Sequence, residues 1–314
     1  MPREVLVSIA PDADCVAGWL GSYGGEDSPN DISRGAFAAE VGLPRLLKLF
    51  KKHGITTTFF IPGHTLESFP KECEAIRDAG HEIGLHGYSH ENPTAMSVEQ
   101  QRAVLDKTYK QLSEFTGKPI VGSVAPWWET SKEGVEMLLE YGAPLTTHPQ
   151  SHDCRMFYLR DQDYWTKIDY DKAAEEWMKP MIKGKETGLV EIPASWYLDD
   201  LPPMMFIKKA PNSHGWVTPQ AVEQIWKDTF TWIYENEADD DDEVTVYPLT
   251  IHPDVAGRAH VMLMLDRFIS WLKQHEGVRF VTMHEMSLAF RAKAGPPAAG
   301  AVMPKSMQGA AADA

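Results

Sequence analysis

The sequence predicts an α/β fold of parallel strands and outer helices, a (β/α) barrel in preference to an open doubly wound sheet. Three observations carry this. Short apolar, β-branched or aromatic runs alternate with stretches of helical periodicity along most of the chain, and parallel strands need such crossovers. No GxGxxG and no P-loop follows the first apolar run, so the phosphate-cradling turn of the open nucleotide-binding sheet is missing. Polar residues of chemical interest fall directly after apolar runs, where a barrel gathers its functional groups.

The elements follow in order. Val5 to Ala10 reads as a buried first strand, and the glycine- and acid-rich stretch Gly21 to Asp31 as a loop. From about Gly42 to His53, Leu43, Leu46, Leu47 and Phe50 share one helical face, and Gly54 stands where a capping glycine would. Thr56 to Ile61 is β-branched and aromatic and stops at Pro62-Gly63, as a strand does. Residues 71–79 predict a helix capped by Gly80, leading to the short strand Glu82 to Leu85. A helix near Val98 to Thr116 precedes a strand at Ile120 to Ala125; another near Lys132 to Tyr141 precedes Pro144 to Thr147. Later strands are Leu189 to Ile192, Val244 to Ile251 and Phe280 to Thr282, with a helix near Val261 to His275 between the last two. The acidic run Glu237 to Glu243 reads as a solvated loop, because like charges repel and no glycine organises them around a cation.

A chain of 314 residues suits one large α/β domain. Its 30 Lys and Arg stand against 45 Asp and Glu, a formal charge of −15 that argues against nucleic acid or an anionic membrane as partner. No apolar run approaches the ~18–20 residues that span a bilayer. The N-terminal ten residues are too short and acidic for a signal peptide, so the expected location is cytoplasmic, or secreted only if a leader precedes this numbering. Cys15, Cys73 and Cys154 form no CxxC pair, and reduced, buried thiols are expected.

Three motifs interrupt the apolar strands. Asp12 and Asp14 follow the first, and in extended chain residues i and i+2 share a face. Two close carboxylates repel unless a cation or a proton intervenes; the bland alternative is a turn or helix cap. His86-Gly87-Tyr88-Ser89-His90 follows the strand at 82–85. Two histidines four apart can chelate a divalent metal, and with a carboxylate they leave positions open for water and substrate, although the spacing alone is common. His252 ends the apolar run Leu249-Thr250-Ile251 and is either a structural histidine or a general acid. The nine other histidines, among them His64, His148 and His152, lack such a setting.

With these motifs in view the chain resembles the polysaccharide deacetylase (NodB-homology) superfamily over about residues 3–292. It looks closest to the branch of peptidoglycan-deacetylase-like proteins, allantoinase-like amidohydrolases and cyclic-imide hydrolases. The resemblance implies a distorted, incomplete (β/α) barrel, one catalytic domain over 1–292 and a disordered tail over 293–314. It implies Asp12 as general base, Asp14, His86 and His90 as metal ligands and His252 as catalytic acid. The implied cofactor is one divalent ion, zinc first, with cobalt, nickel, manganese or iron also compatible. Two features depart from the family pattern. The segment Val124-Ala125-Pro126-Trp127-Trp128-Glu129 lacks the arginine that steadies the base, and Arg34 is offered as its substitute. The motif that orients the histidine becomes Ser195-Trp196-Tyr197-Leu198-Asp199-Asp200, in which Asp199 or Asp200 is expected to bond His252 and Trp127 and Trp196 to wall the pocket.

The implied reaction is metal-dependent hydrolysis of a non-peptide C–N bond, first of all N-deacetylation of N-acetylglucosamine glycans of chitin or peptidoglycan type. The alternative is hydrolysis of small cyclic amides or imides, with loops 15–40 and 196–215 roofing a closed pocket. A non-catalytic metal-binding relic is the third reading. The apolar segment Leu201 to Ile207 is expected to be core cover or a subunit contact, and the branch favours a homo-oligomer.

Overall fold

In this computed structural model, which describes residues 3–142, 145–147, 151–208, 215–238 and 243–307, an entirely buried strand, β1 (Val5–Pro11), organises the fold. The further strands are β2 (Thr58–Ile61), β3 (Glu82–Leu85), β4 (Gly122–Val124), β5 (Leu145–Thr147), β6 (Phe157–Arg160), β7 (Glu186–Glu191), β8 (Val246–Ile251) and β9 (Val278–Phe280). β1 lies between β8 and β9, all parallel, while the other six pair in the order β2-β3-β4-β5-β7-β6. Only β6 runs antiparallel, against β7. Single bridges, Asp12 to Phe60 and Arg155 to Thr245, link the two sheets. The barrel is thus present but not closed, which is the distortion the resemblance implied.

Alternation along the strands divides the core. Val5, Val7 and Ile9 face outward and pack with helix residues such as Leu46, Phe50, Leu265 and Phe268. Leu6 and Ala10 face the other way and meet Phe60, Val124, Val190 and Val246 inside the curved sheet. A strand buried on both faces must be apolar at nearly every position, as β1 is.

The helices expected at 98–116 and 132–141 have those bounds, and the helix Leu43–His53 ends at Gly54 in the left-handed conformation. The four longest of the helices that were not expected are Cys15–Gly21, Pro29–Phe37, Pro219–Asn236 and Met283–Ala294. The first two replace most of the predicted loop at 15–40. Each of the last two carries its own start signal, a capping Thr218 before Pro219 and a Thr282–Glu285 capping box. Leu201, Met205 and Ile207 pack against Trp19 and Tyr23, so this segment is core cover. All three cysteines are free and buried. Among the described residues no helix is long and apolar enough to cross a membrane.

The segment after Gly295, expected to be disordered, departs from that expectation as far as Met307. Gly188 N–H donates to Val302 O at 2.8 Å, Ser306 Oγ donates to Gly142 O at 2.5 Å and Pro304 is buried. Backbone pairing along β7 supplies what side-chain periodicity does not announce. Residues 308–314, Pro144, His148 and Asp239–Asp242 lie outside the described residues.

Phe59, fully buried on β2, packs edge-on against Phe50 with ring centroids 6.1 Å apart. Phe59→Ala is expected to lower unfolding stability by about 3–5 kcal/mol, read from the urea midpoint; an unchanged midpoint would contradict the packing described.

Candidate functional site

Three strand ends meet at one rim. β1 and β8 pair up to Pro11 opposite Ile251, so Asp12 and His252 leave neighbouring strands side by side. β2 and β3 pair up to Ile61 opposite Leu85, the residue before His86. In the turn after β3, Glu91 accepts the N–H groups of Tyr88 (2.9 Å) and Ser89 (2.6 Å). That folds His90 back toward His86, with ring centroids 4.9 Å apart. Asp12, Asp14, His86, His90 and His252 are all 5% exposed or less.

The distances join these groups into one cluster. His86 Nε2 lies 3.1 Å from Asp14 Oδ1 and 3.7 Å from Asp12 Oδ2, and His90 Nε2 lies 3.5 Å from Asp14 Oδ2. Asp14 Oδ1, His86 Nε2 and Asp12 Oδ1 are buried without a hydrogen-bond partner. Orphaned atoms of this kind are rare in native folds. At ~2.0–2.1 Å per bond, tetrahedral ligands around zinc sit about 3.3 Å apart; the 3.1 Å between His86 Nε2 and Asp14 Oδ1 is close to that spacing, and one ligand atom from each of Asp14, His86 and His90 lies within 4.8 Å of the others. The donor set therefore fits one divalent ion. A second group, Asp199, Asp200 and His252, also has its atoms close together. There, however, His252 Nδ1 lies 2.9 Å from Asp200 Oδ1 and is used in a hydrogen bond.

Electrostatics distinguishes the carboxylates. Burial pushes Asp12 up to about 6, against the pull of His86 and His252. Burial acts the same way on Asp14, but His90 and His86 outweigh it and hold that carboxyl well below the usual range. Burial alone would lower both imidazoles of the pair. In His90 it prevails, giving about 4, whereas Asp12 and Asp14 raise His86 to about 9.

His252 is an oriented imidazole. Asp200 Oδ1 accepts both its backbone N–H, at 3.0 Å, and its Nδ1–H, and Asp199 Oδ1 lies 3.5 Å from Nδ1. Burial opposes the charged ring, yet Asp199 and Asp200 hold its pKa well above the ordinary value. Both aspartates reach it because Asp199 bridges Thr250 on β8. The turn before them is tied down by Trp226 Nε1, which donates to Tyr197 O at 3.1 Å.

Arg34 does not steady Asp12. Its Nη1 donates to Phe206 O at 2.8 Å and its guanidinium lies 4.2 Å above the Trp19 ring. The helix Pro29–Phe37 carries it over that indole and beside Asp31, 3.5 Å away, and Asp12 Oδ1 is left without a partner. Trp127 and Trp196 line a cavity of about 20 Å³ with Trp128, Leu201, Tyr23, Asp12, His86, His90 and His252, room for about one water molecule. Trp128 packs on Trp196 with centroids 4.4 Å apart.

Sequence reasoning did not single out Trp128, Ser22 or Tyr23 as part of the site. Ser22 Oγ lies 2.6 Å from His90 Nδ1, and Tyr23 OH donates to Asp14 Oδ2 at 2.6 Å. One local signal exists only in the backbone: His90, Trp127, Trp128 and Cys15 have positive φ without being glycine. Such residues cost roughly 1–3 kcal/mol each and cluster at functional sites.

The sequence profile of the polysaccharide deacetylase family matches residues 35–143. A peptidoglycan deacetylase of Helicobacter pylori is 53% identical over 287 residues, covering 91% of this chain and 96% of that protein. The crystal structure of a Mycobacterium smegmatis protein designated a polysaccharide deacetylase is similar with a TM-score of 0.76 at 25% identity, covering 95% of this chain and 94% of that one. Puue allantoinase is similar with a TM-score of 0.70 at 20% identity over 92% of this chain and 91% of its own, a likeness of fold.

If Asp199 and Asp200 raise His252 as described, the ring of His252 in metal-free protein titrates above the ordinary ~6.5 of histidine. Asp200→Asn removes one of the two charges and is expected to move that titration downward, followed by imidazole NMR shifts against pH; an upward or absent change would contradict the assignment.

Proposed function

The chain belongs to the polysaccharide deacetylase family, a family of hydrolases, and from that premise we propose that it removes the N-acetyl group from amino sugars of a peptidoglycan-type glycan, with a divalent ion held by Asp14, His86 and His90. One observation carries the reading. A carboxylate with an unpartnered oxygen, both imidazoles of a carboxylate–imidazole trio and an oriented imidazole line a single pocket. The glycan type rests on the Helicobacter pylori relative; chitin oligomers carry the same bond and are the nearest alternative substrate. Zinc suits two imidazoles and one carboxylate best. Retention of Asp12, Asp14, His86, His90 and His252 together weighs against a non-catalytic relic.

The difficulty lies in the amide: its carbonyl is a weak electrophile and neutral water a weak nucleophile. A divalent ion, when bound, polarises the carbonyl and acidifies water. The chain's own groups move the protons. Asp12, with a pKa near 6 and one free oxygen, accepts the proton of the attacking water. His252, held through Nδ1 by Asp200, has Nε2 3.8 Å from Asp14 and protonates the departing nitrogen. Without an arginine on Asp12, its orientation depends on the backbone: its N–H donates to Ile251 O at 2.9 Å.

The narrow, tryptophan-walled pocket favours a second reading, hydrolysis of a small cyclic amide or imide. Acetate release from peptidoglycan fragments and N-acetylglucosamine oligomers, measured beside ring opening of a cyclic imide, separates the two. Acetate release is expected; ring opening without it would replace the deacetylase reading with the imidase one. In the same assays Asp14→Ala and His86→Ala are expected to lose bound metal, whereas Asp12→Asn keeps it and loses about 10²-fold or more in turnover. Full metal occupancy in His86→Ala would defeat the ligand assignment.

A further inference from the structure

Three hydrogen bonds surround the trio, and each occupies the atom that a metal ion would not use. His86 Nδ1 lies 2.8 Å from Val124 O; a carbonyl only accepts, so Nδ1 carries a proton, and in the neutral ring that ligates a metal Nε2 is the nitrogen with the lone pair. Ser22 Oγ lies 2.6 Å from His90 Nδ1, so a hydrogen bond occupies that nitrogen whichever of the two donates, and Nε2 is the ring atom left for a metal. Tyr23 OH donates to Asp14 Oδ2, while Oδ1 has no hydrogen-bond partner. We propose that Ser22 and Tyr23 are positioning residues of the metal centre: Tyr23 confines Asp14 to a single ligand oxygen, and Ser22 engages His90 Nδ1 and so holds the ring with Nε2 toward Asp14. The inference rests on the reading of Asp14, His86 and His90 as ligands.

The chain around the pair is shaped to admit it. A Cβ on Gly18 would stand 2.5 Å from the Tyr23 ring, and one on Gly21 would stand 1.6 Å from the backbone oxygen of Ser89, next to His90. Only bare backbone at these positions lets the helix Cys15–Gly21 lie against the histidine turn. The Tyr23 ring is then fixed edge-on by Trp19, His90 and Trp127, with centroids 5.3, 5.2 and 5.5 Å away. At 3% exposure its hydroxyl has no ready access to solvent, and leaving it unbonded would be unfavourable. The bond to Asp14 is therefore a persistent one. Its effect is on coordination number. A carboxylate bound through one oxygen leaves positions for water and substrate, whereas one bound through two fills a further position.

The test is titration of metal-free protein with Co²⁺, reading the dissociation constant and the visible absorption spectrum. Tyr23→Phe keeps the ring and removes only the hydroxyl. It is expected to weaken cobalt binding about 10-fold or more and to lower the absorption intensity, because five- and six-coordinate cobalt absorbs less strongly than four-coordinate. Ser22→Ala is expected to weaken binding likewise, and Ser22→Thr, which retains a hydroxyl, to restore it. Circular dichroism of each metal-free variant establishes that it is folded, and the Ser22 series stands independently if Tyr23→Phe is not. Unchanged affinity and spectrum in a folded Tyr23→Phe, or equal losses in Ser22→Ala and Ser22→Thr, would overturn the inference alone. Wild-type protein that takes up no cobalt would overturn the metal reading, and the inference with it.

Discussion

Two carboxylates, Asp12 and Asp14, are buried within reach of one imidazole at the end of β1. Like charges in low dielectric are tolerated only beside compensating charge, and the rest of the rim answers that requirement. His86, His90 and His252 arrive from two other strands, and each approaches Asp14 within 3.8 Å. The cluster splits the two acids into different chemical types. One carboxyl sits near 6, suited to taking a proton, and the other stays firmly ionised, suited to holding a cation.

The scaffold supplies this arrangement through register. Parallel pairing of β1 with β8, and of β2 with β3, brings strand ends level, so residues distant in sequence leave the sheet at the same height. An open barrel suffices, since the site draws on its rim. A second carboxylate–imidazole pair, Asp200 with His252, is then set beside the first cluster by the bridge between Asp199 and β8. Strained backbone at His90, Trp127 and Trp128 aims side chains inward that ordinary turns would direct elsewhere.

Much of this was legible in the sequence. Strands β1, β2 and β8 announce themselves by apolar, β-branched and aromatic runs, and the helices at 98–116 and 132–141 by periodicity and capping residues. Asp12, Asp14, His86, His90 and His252 stood out because each follows a strand. The helices Pro219–Asn236 and Met283–Ala294 were overlooked although their caps were present. The short helices at 15–21 and 29–37 had weaker signals; their stability comes from packing Trp19 and Gly35 into the body rather than from propensity. The Arg34 assignment failed for a spatial reason: sequence distance gave no hint that the Trp19 ring stands beneath it.

By itself the sequence determined which groups are the candidates for the chemistry, because residue type and position at a strand end are one-dimensional facts. It also determined that the motif arginine is missing. Only the tertiary structure decided what each group touches: Asp200 rather than Asp199 as the hydrogen-bond partner of His252 Nδ1, and Ser22 and Tyr23 as neighbours of the trio. Such choices turn on differences of an ångström or less among side chains brought together by register, turns and the close approach of backbone at Gly18 and Gly21. Hydrogen bonds weaken steeply over that range, so no reading of spacing along the chain resolves them.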